Sequence, residues 1–437
     1  MPLGANRRTA LRNMAAKAVS VPLEKVCRLV LFAIAARVLK ETAFGRFQFA
    51  DTVAVLLLLA TDLGLGVWTT RALARGQGDA ARIVGTGLWV RSLTAIPYLL
   101  LVGGAALGVG EGDTRQALLL LGGAALAGAY VEHCGAVFRG YERLRDEAHL
   151  NVVRAALVAA TGLAALWWGR SVVALGAGVM VGAIAAAAYG LTLIRRRYGL
   201  PTPFHGGAFD ARLARAAIAE ALPLWLATLM SLVYFKGDAV LLRLFAGDAA
   251  VGAYGAAFKI FEATMILPSI ILAATFPALV RAQVHEPARA RRSEVGLGWG
   301  LLGLGGLVGA IIYAASDQVI RLVFGPAFMN AAPSLRLLCL GVPLLYLNYG
   351  LTHFLIARAL ERYNLAFTVL LVVLNVGANL LLIPRWGGRG AAVTTVITEV
   401  ALTACCLVTL AWSPRAPAYQ SRPPEAQSAT SGARTSA

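Results

Sequence analysis

The segment VVALGAGVMVGAIAAAAYGLTLIRRR, residues 172–197, decides the fold class. From Val172 to Ile194 it carries no charged side chain, and it ends on Arg195, Arg196 and Arg197. A helix needs about 20 apolar residues to cross the hydrocarbon core of a bilayer, and clustered Lys and Arg mark the cytoplasmic flank of such a helix. Its glycines and alanines are the small residues that let helices pack closely in lipid. One membrane span and one inside flank are therefore read from a single stretch.

The same pattern recurs along the chain. Apolar stretches bounded by charge lie at 18–38, 47–68, 83–109, 116–138 and 150–168 before it, and at 216–236, 249–280, 296–315, 335–357, 364–384 and 389–411 after it. The composition agrees: 58% of the 437 residues are hydrophobic, 14% are charged, and the mean hydropathy is +0.70. That excludes a soluble enzyme. It predicts an all-α polytopic membrane protein with about 12 transmembrane helices in two six-helix lobes around a central cavity. Residues 1–194 form the first lobe, 195–215 a cytoplasmic linker containing Pro201, Pro203, Gly206 and Gly207, 216–412 the second lobe, and 413–437 a disordered tail rich in Pro, Ser, Ala and Gly.

The formal net charge of +18 has two sources to weigh, nucleic acid and membrane, and the loops decide for the membrane. With both termini inside, about 24 basic residues fall in cytoplasmic segments and about 9 outside. An even span count places both termini on one side. Arg7, Arg8, Arg12 and Lys17 precede the first span, which holds Glu24, Lys25 and Arg28 and has no small-residue cleavage site, so it reads as uncleaved. The five cysteines lack CxxC spacing, which argues against disulfides and zinc.

The halves resemble each other. Arg37-Val38-Leu39 followed by Ala43-Phe44-Gly45-Arg46-Phe47 is echoed by Arg243-Leu244-Phe245 followed by Ala250-Val251-Gly252-Ala253-Tyr254, each around a short outer loop. Two halves of the same orientation imply a parallel repeat with a cleft between them.

Three stretches carry a family resemblance. They are Phe44-Gly45-Arg46-Phe47 leading to Thr61-Asp62-Leu63-Gly64-Leu65 and Thr69-Thr70-Arg71; Asp238 to Leu242 leading to Val251-Gly252-Ala253-Tyr254, Lys259 and Phe276-Pro277; and Leu381-Leu382-Ile383-Pro384 leading to Gly387, Gly390-Ala391-Ala392 and Thr394-Thr395. Together with Arg139-Gly140-Tyr141-Glu142-Arg143, the sequence resembles the bacterial oligosaccharide flippases of O-antigen, capsule and exopolysaccharide export. Their superfamily also holds lipid II flippases and multidrug extruders. The resemblance implies a two-lobed alternating-access transporter in the bacterial cytoplasmic (inner) membrane. Its partner would be a polyprenyl-diphosphate-linked oligosaccharide, and it would work beside a polysaccharide polymerase or glycosyltransferases; no nucleic acid is implied. The two extra helices of the lipid II branch have no counterpart here.

Charged side chains inside spans are costly and face a cavity or one another. Lys25 and Arg28 in the first span, Arg91 in the third, Arg154 in the fifth, Lys236 in the seventh and Lys259 in the eighth are the candidate substrate-binding cations, because a diphosphate needs several converging donors. The alternative is internal pairing, Arg28 with Glu24 and Lys259 with Glu262, or snorkelling by Arg154. Asp238, Asn375, Asn379, Thr394 and Glu399 offer oxygens for a coupling ion, Na+ or H+; in the lipid II branch a sodium site lies between helices seven, eleven and twelve, where the first four of these fall. Interhelical hydrogen bonding explains the same residues without an ion. Gly303 to Gly309 lack a Walker lysine, and His133 and His353 have no second ligand at helical spacing, so neither a cofactor nor a metal is expected. Tyr346, Tyr349, Tyr363 and the pair Trp167-Trp168 read as membrane-interface anchors. A multidrug cation antiporter would want an acid-rich cavity, and a polymerase a larger outer loop than Ser316 to Ser334.

Overall fold

A computed structural model describes residues 7–412 apart from 77–78, 111, 201–208, 359 and 361. The central part of the linker and the tail from 413 lie outside the described residues. Thirteen α-helices account for nearly all of the rest. The first lobe holds α1 (Arg7–Asp62), α2 (Leu65–Ala74), α3 (Ala80–Gly108), α4 (Gly112–Gly140), α5 (Leu144–Gly169) and α6 (Val172–Tyr198). The second holds α7 (Ala211–Thr264), α8 (Ile266–His285), α9 (Pro287–Ala314), α10 (Ser316–Val323), α11 (Ala332–Ala357), α12 (Arg362–Trp386) and α13 (Gly388–Trp412).

Local chemistry sets the ends. The carboxylate of Asp210 accepts from the backbone N–H of Arg212 and Leu213 and starts α7, and Ser171 Oγ accepts from Ala174 N–H to start α6; both satisfy donors a helix N-terminus leaves free. Helix α6 stops at Gly199, whose φ of 62° closes it. Its last turn carries the three arginines, cations at the negative end of the helix dipole.

Among the described residues, nine helical stretches are long and apolar enough to cross a membrane. One of them, Thr228–Gln283, bends at Gly247 and so supplies two crossings. Helix α1 bends likewise at Lys40, and its halves carry Glu24, Lys25, Arg28, Asp51 and Asp62 within apolar runs. Counted this way the crossings number twelve. The expected outer loops between spans one and two and between seven and eight are single-residue bends instead. Lys40 (φ 62°, ψ −179°) and Gly247 (φ 81°, ψ 176°) adopt the same backbone conformation at matching places in the two copies. The span expected at 249–280 is also broken, at Met265.

At this bend end the lobes meet. Asp248 accepts an ion pair from Arg46 of the first lobe at 3.2 Å and one from Arg243 of the second at 3.0 Å. Arg37 Nε donates to the carbonyl of Val323 at 2.9 Å, capping the C-terminus of α10 across the lobe boundary. Phe44 of α1 meets Phe328 of the turn Pro326–Ala331 edge-on at 5.6 Å. The segment expected as a plain outer loop is thus a short amphipathic helix and a 3-10 turn that seal the junction.

Contacts at the opposite end are made by the start of α7. Ala217 and Ala221 pack with Trp68, Ala72 and Ile83 of the first lobe, Trp225 Nε1 donates to the carbonyl of Leu59 at 2.6 Å, and Arg75 pairs with Glu220 at 3.0 Å. Tyr346, expected at an interface, is fully buried and donates to the carbonyl of Thr264 at 2.7 Å; a phenol finds its partner inside as readily as at a headgroup. Trp167 and Trp168 are exposed, as anchors would be.

Candidate functional site

Between the lobes, where α1 crosses α7, lies a cavity of about 300 Å³. Lys25, Gln48 and Thr52 line it from α1, and Lys236, Asp238, Tyr254, Phe258, Lys259 and Glu262 from α7. The bend at Lys40 brings this about, because it folds both halves of α1 onto α7. Residues on the two sides of the bend then share one wall.

Three of the sequence-level cations, Lys25, Lys236 and Lys259, meet here. Lys259 is 7% exposed and pairs with Glu262 at 2.8 Å. Arg28 stands beside the cavity, 3.5 Å from Asp51, with its guanidinium 5.5 Å from the Phe32 ring centroid. Glu24, the expected partner of Arg28, is instead taken by Arg154, which ties α5 to α1. Arg91 pairs with Asp62 at 2.7 Å inside the first lobe and is 3% exposed. The structure therefore brings four of the six cations to the lobe junction and keeps Arg91 and Arg154 in carboxylate pairs among the helices of the first lobe.

The four cations at the junction face three carboxylates: Asp51, Asp238 and Glu262. Each carboxylate offsets part of the desolvation of a buried cation, yet one positive charge stays in excess. An anion entering this space meets donors on both lobes. Sequence reading missed Gln48, Thr52 and Phe32; the only signal for the first two is their spacing of four on an apolar helix, and Phe32 looks like any core aromatic.

The oxygen-bearing residues divide into two groups. Asn379 Nδ2 donates to Asn375 Oδ1 at 2.9 Å on α12, while Asn379 Oδ1 and Thr394 Oγ1 on α13 are buried with no hydrogen-bond partner among the described residues. Asp238 on α7 accepts from its own helix at Ala239 N–H and from Tyr254, and Tyr254 OH lies 3.3 Å from Thr395 Oγ1. Glu399 on α13 reaches both α7 and α11: Tyr234 OH of α7 donates to Glu399 Oε1 at 3.5 Å. Asn348 Nδ2 donates to Glu399 Oε2 at 2.7 Å, and Thr403 Oγ1 donates to Asn348 Oδ1 at 2.8 Å. Among the described residues, no group of three or more His, Cys, Asp or Glu forms a metal site.

A family model described as "Polysaccharide biosynthesis protein" matches residues 10–283, and the chain belongs to that family. A probable low-salt glycan biosynthesis flippase of Haloferax volcanii is 24% identical over 270 residues, 60% of this chain and 54% of the relative; the chain thus spans about half the length of that relative. Among solved structures, a multidrug resistance MATE family transporter of the MOP superfamily in its inward-facing conformation superposes with a TM-score of 0.71 at 16% identity, covering 88% of this chain and 93% of that one. The lipid II flippase MurJ, inward closed, gives 0.69 at 13% identity, covering 92% and 88%. These similarities establish a multi-pass membrane protein with the two-lobed helical fold of that superfamily.

Proposed function

We propose that this protein flips a polyprenyl-diphosphate-linked oligosaccharide across the bacterial cytoplasmic membrane during polysaccharide biosynthesis, by alternating access of the cavity between its lobes. One observation carries the reading: Lys25, Arg28, Lys236 and Lys259 reach one junction from both lobes, and a cargo whose polar head is a diphosphate supplies the anion such donors fit. Family membership and the flippase name of the Haloferax volcanii relative support it. Both termini lie in the cytoplasm, the bend end faces out, and the cavity opens inward when the bend end is sealed. A polymerase or glycosyltransferases on either side of the membrane would make the cargo and consume it.

The coupling ion we assign is sodium, held by Asp238, Asn375, Asn379 and Thr394. The orphaned buried oxygens of Asn379 and Thr394 support that choice, since a hard cation takes oxygen ligands and a buried oxygen without a partner is costly. Glu399 is the proton-carrying alternative.

The test is reconstitution into proteoliposomes with a short-chain polyprenyl-diphosphate oligosaccharide bearing a reporter sugar, followed by exposure to an impermeant oxidant. The parent protein makes the full lipid pool accessible, and Lys25→Gln with Lys259→Gln leaves only the outer leaflet accessible. A multidrug antiporter is the second reading, favoured by the 0.71 superposition; it would leave the lipid pool unmoved and extrude a cationic dye against a sodium or proton gradient.

A further inference from the structure

Phe32 lies in the core of the junction, within reach of cations from both lobes. It is 3% exposed and lies on α1. Lys259 Nζ from α7 stands 5.0 Å from its ring centroid, and the guanidinium carbon of Arg28, one turn before it on α1, stands 5.5 Å from the same centroid. The ring is held in place by edge contacts with Phe44 at 6.0 Å and Phe47 at 5.6 Å, steep to it at 88° and 64°. The electron-rich face of an aromatic ring attracts a cation, whereas two cations drawn to one spot repel each other. Asp51 pairs with Arg28 and Glu262 with Lys259, and the charge of Glu262 also reaches Arg28. Phe32 is the aromatic ring that the first-lobe cation and the second-lobe cation have in common.

We infer that Phe32 is a positioning residue for the cargo diphosphate: its ring holds Arg28 and Lys259, one from each lobe, as a preset pair that the two phosphate groups bridge. The inference rests on the flippase reading and sharpens it. A ring steadies the cations without using their N–H donors, so those that Asp51 and Glu262 leave over remain for phosphate oxygens. A diphosphate bound there spans the boundary between lobes, so its binding energy differs between the arrangement in which the lobes bring Arg28 and Lys259 together and one in which they part. Only such a difference lets a ligand shift a conformational equilibrium.

The experiment uses the purified full-length protein in detergent and farnesyl diphosphate as the probe, with farnesol as the control for the lipid tail. Phe32 is replaced by phenylalanines carrying one, two and three ring fluorines, which drain the face of electrons with little change of shape. The expected result is a stepwise rise in Kd for farnesyl diphosphate with each fluorine, reaching about tenfold for the trifluorinated ring. Phe32→Leu should match the weakest of these, and Phe32→Trp should restore parental affinity. Farnesol binding should not move. A Kd that ignores fluorination while the parent binds farnesyl diphosphate overturns the role of Phe32 and leaves the flippase reading standing. A parent that fails to discriminate farnesyl diphosphate from farnesol removes the reading and the inference together.

Discussion

Gly45 and Gly252 face each other across the lobe boundary in a reciprocal contact. A Cβ on Gly45 would stand 1.8 Å from the carbonyl oxygen of Asp248, and a Cβ on Gly252 would stand 2.2 Å from the carbonyl oxygen of Glu41. Glu41 and Gly45 occupy in α1 the places that Asp248 and Gly252 occupy in α7. Each copy therefore presses its glycine on the backbone of the other, which is the contact a two-fold axis demands. The internal repeat read from the sequence is a physical symmetry, and it fixes where the helices cross.

That crossing tolerates no side chain, because no real Cβ sits under 3 Å from a backbone oxygen that cannot move. Gly45→Ala and Gly252→Ala are expected to wedge the bend end open. In a cysteine-free background with Thr52→Cys in the cavity wall, an impermeant maleimide added from the outer face should label either alanine variant several-fold faster than the glycine parent. Equal rates would mean that the lobes do not hinge at this crossing.

Lys40 holds a backbone conformation that its counterpart Gly247 adopts freely. A non-glycine residue there stores roughly 1–3 kcal/mol of strain, against which glycine costs about 0.5–1 kcal/mol of unfolded-state entropy. Lys40→Gly should therefore raise the melting temperature of the detergent-solubilised protein by a degree or more. A fall would show that the Lys40 side chain contributes more than the strain removes.

Arg91 and Asp62 form a pair inside the first lobe, and removing one partner of a buried pair costs about 3–5 kcal/mol because the other charge is left alone. Arg91→Gln should lower thermal stability sharply, and adding Asp62→Asn should recover part of the loss. Lys25→Gln at the cavity should instead weaken farnesyl diphosphate binding with little change in melting temperature. If Arg91→Gln melts like the parent but loses diphosphate binding, Arg91 belongs to the cargo path.

Sodium binding to the folded state should stabilise it by about 2.7 kcal/mol at a hundredfold excess over Kd. The melting temperature is expected to rise on replacing choline by sodium at constant ionic strength, and Asn379→Ala should abolish the rise. A parent that melts identically in both salts loses the sodium assignment; one that responds only to pH, with Glu399→Gln flat, is proton-coupled.

The sequence by itself determined the membrane class, the approximate place of most spans and the twofold repeat. These rest on local quantities: apolar length against bilayer thickness, basic flanks, and the paired Gly-x-aromatic steps. Even the list of costly charges was legible, since an ionisable residue in an apolar run stands out wherever it folds. Their partners were not. Glu24 lies one turn from Arg28 in the chain yet pairs with Arg154, and Arg91 reaches Asp62 rather than the cavity, because helix rotation and packing, not distance along the chain, choose the partner. Only the tertiary structure sets α1 against α7, and with it the meeting of Lys25, Lys236 and Lys259 and the placing of Phe32 between cations from two lobes. Lobe packing is a non-local balance of side-chain shape and charge, and no helical period encodes it.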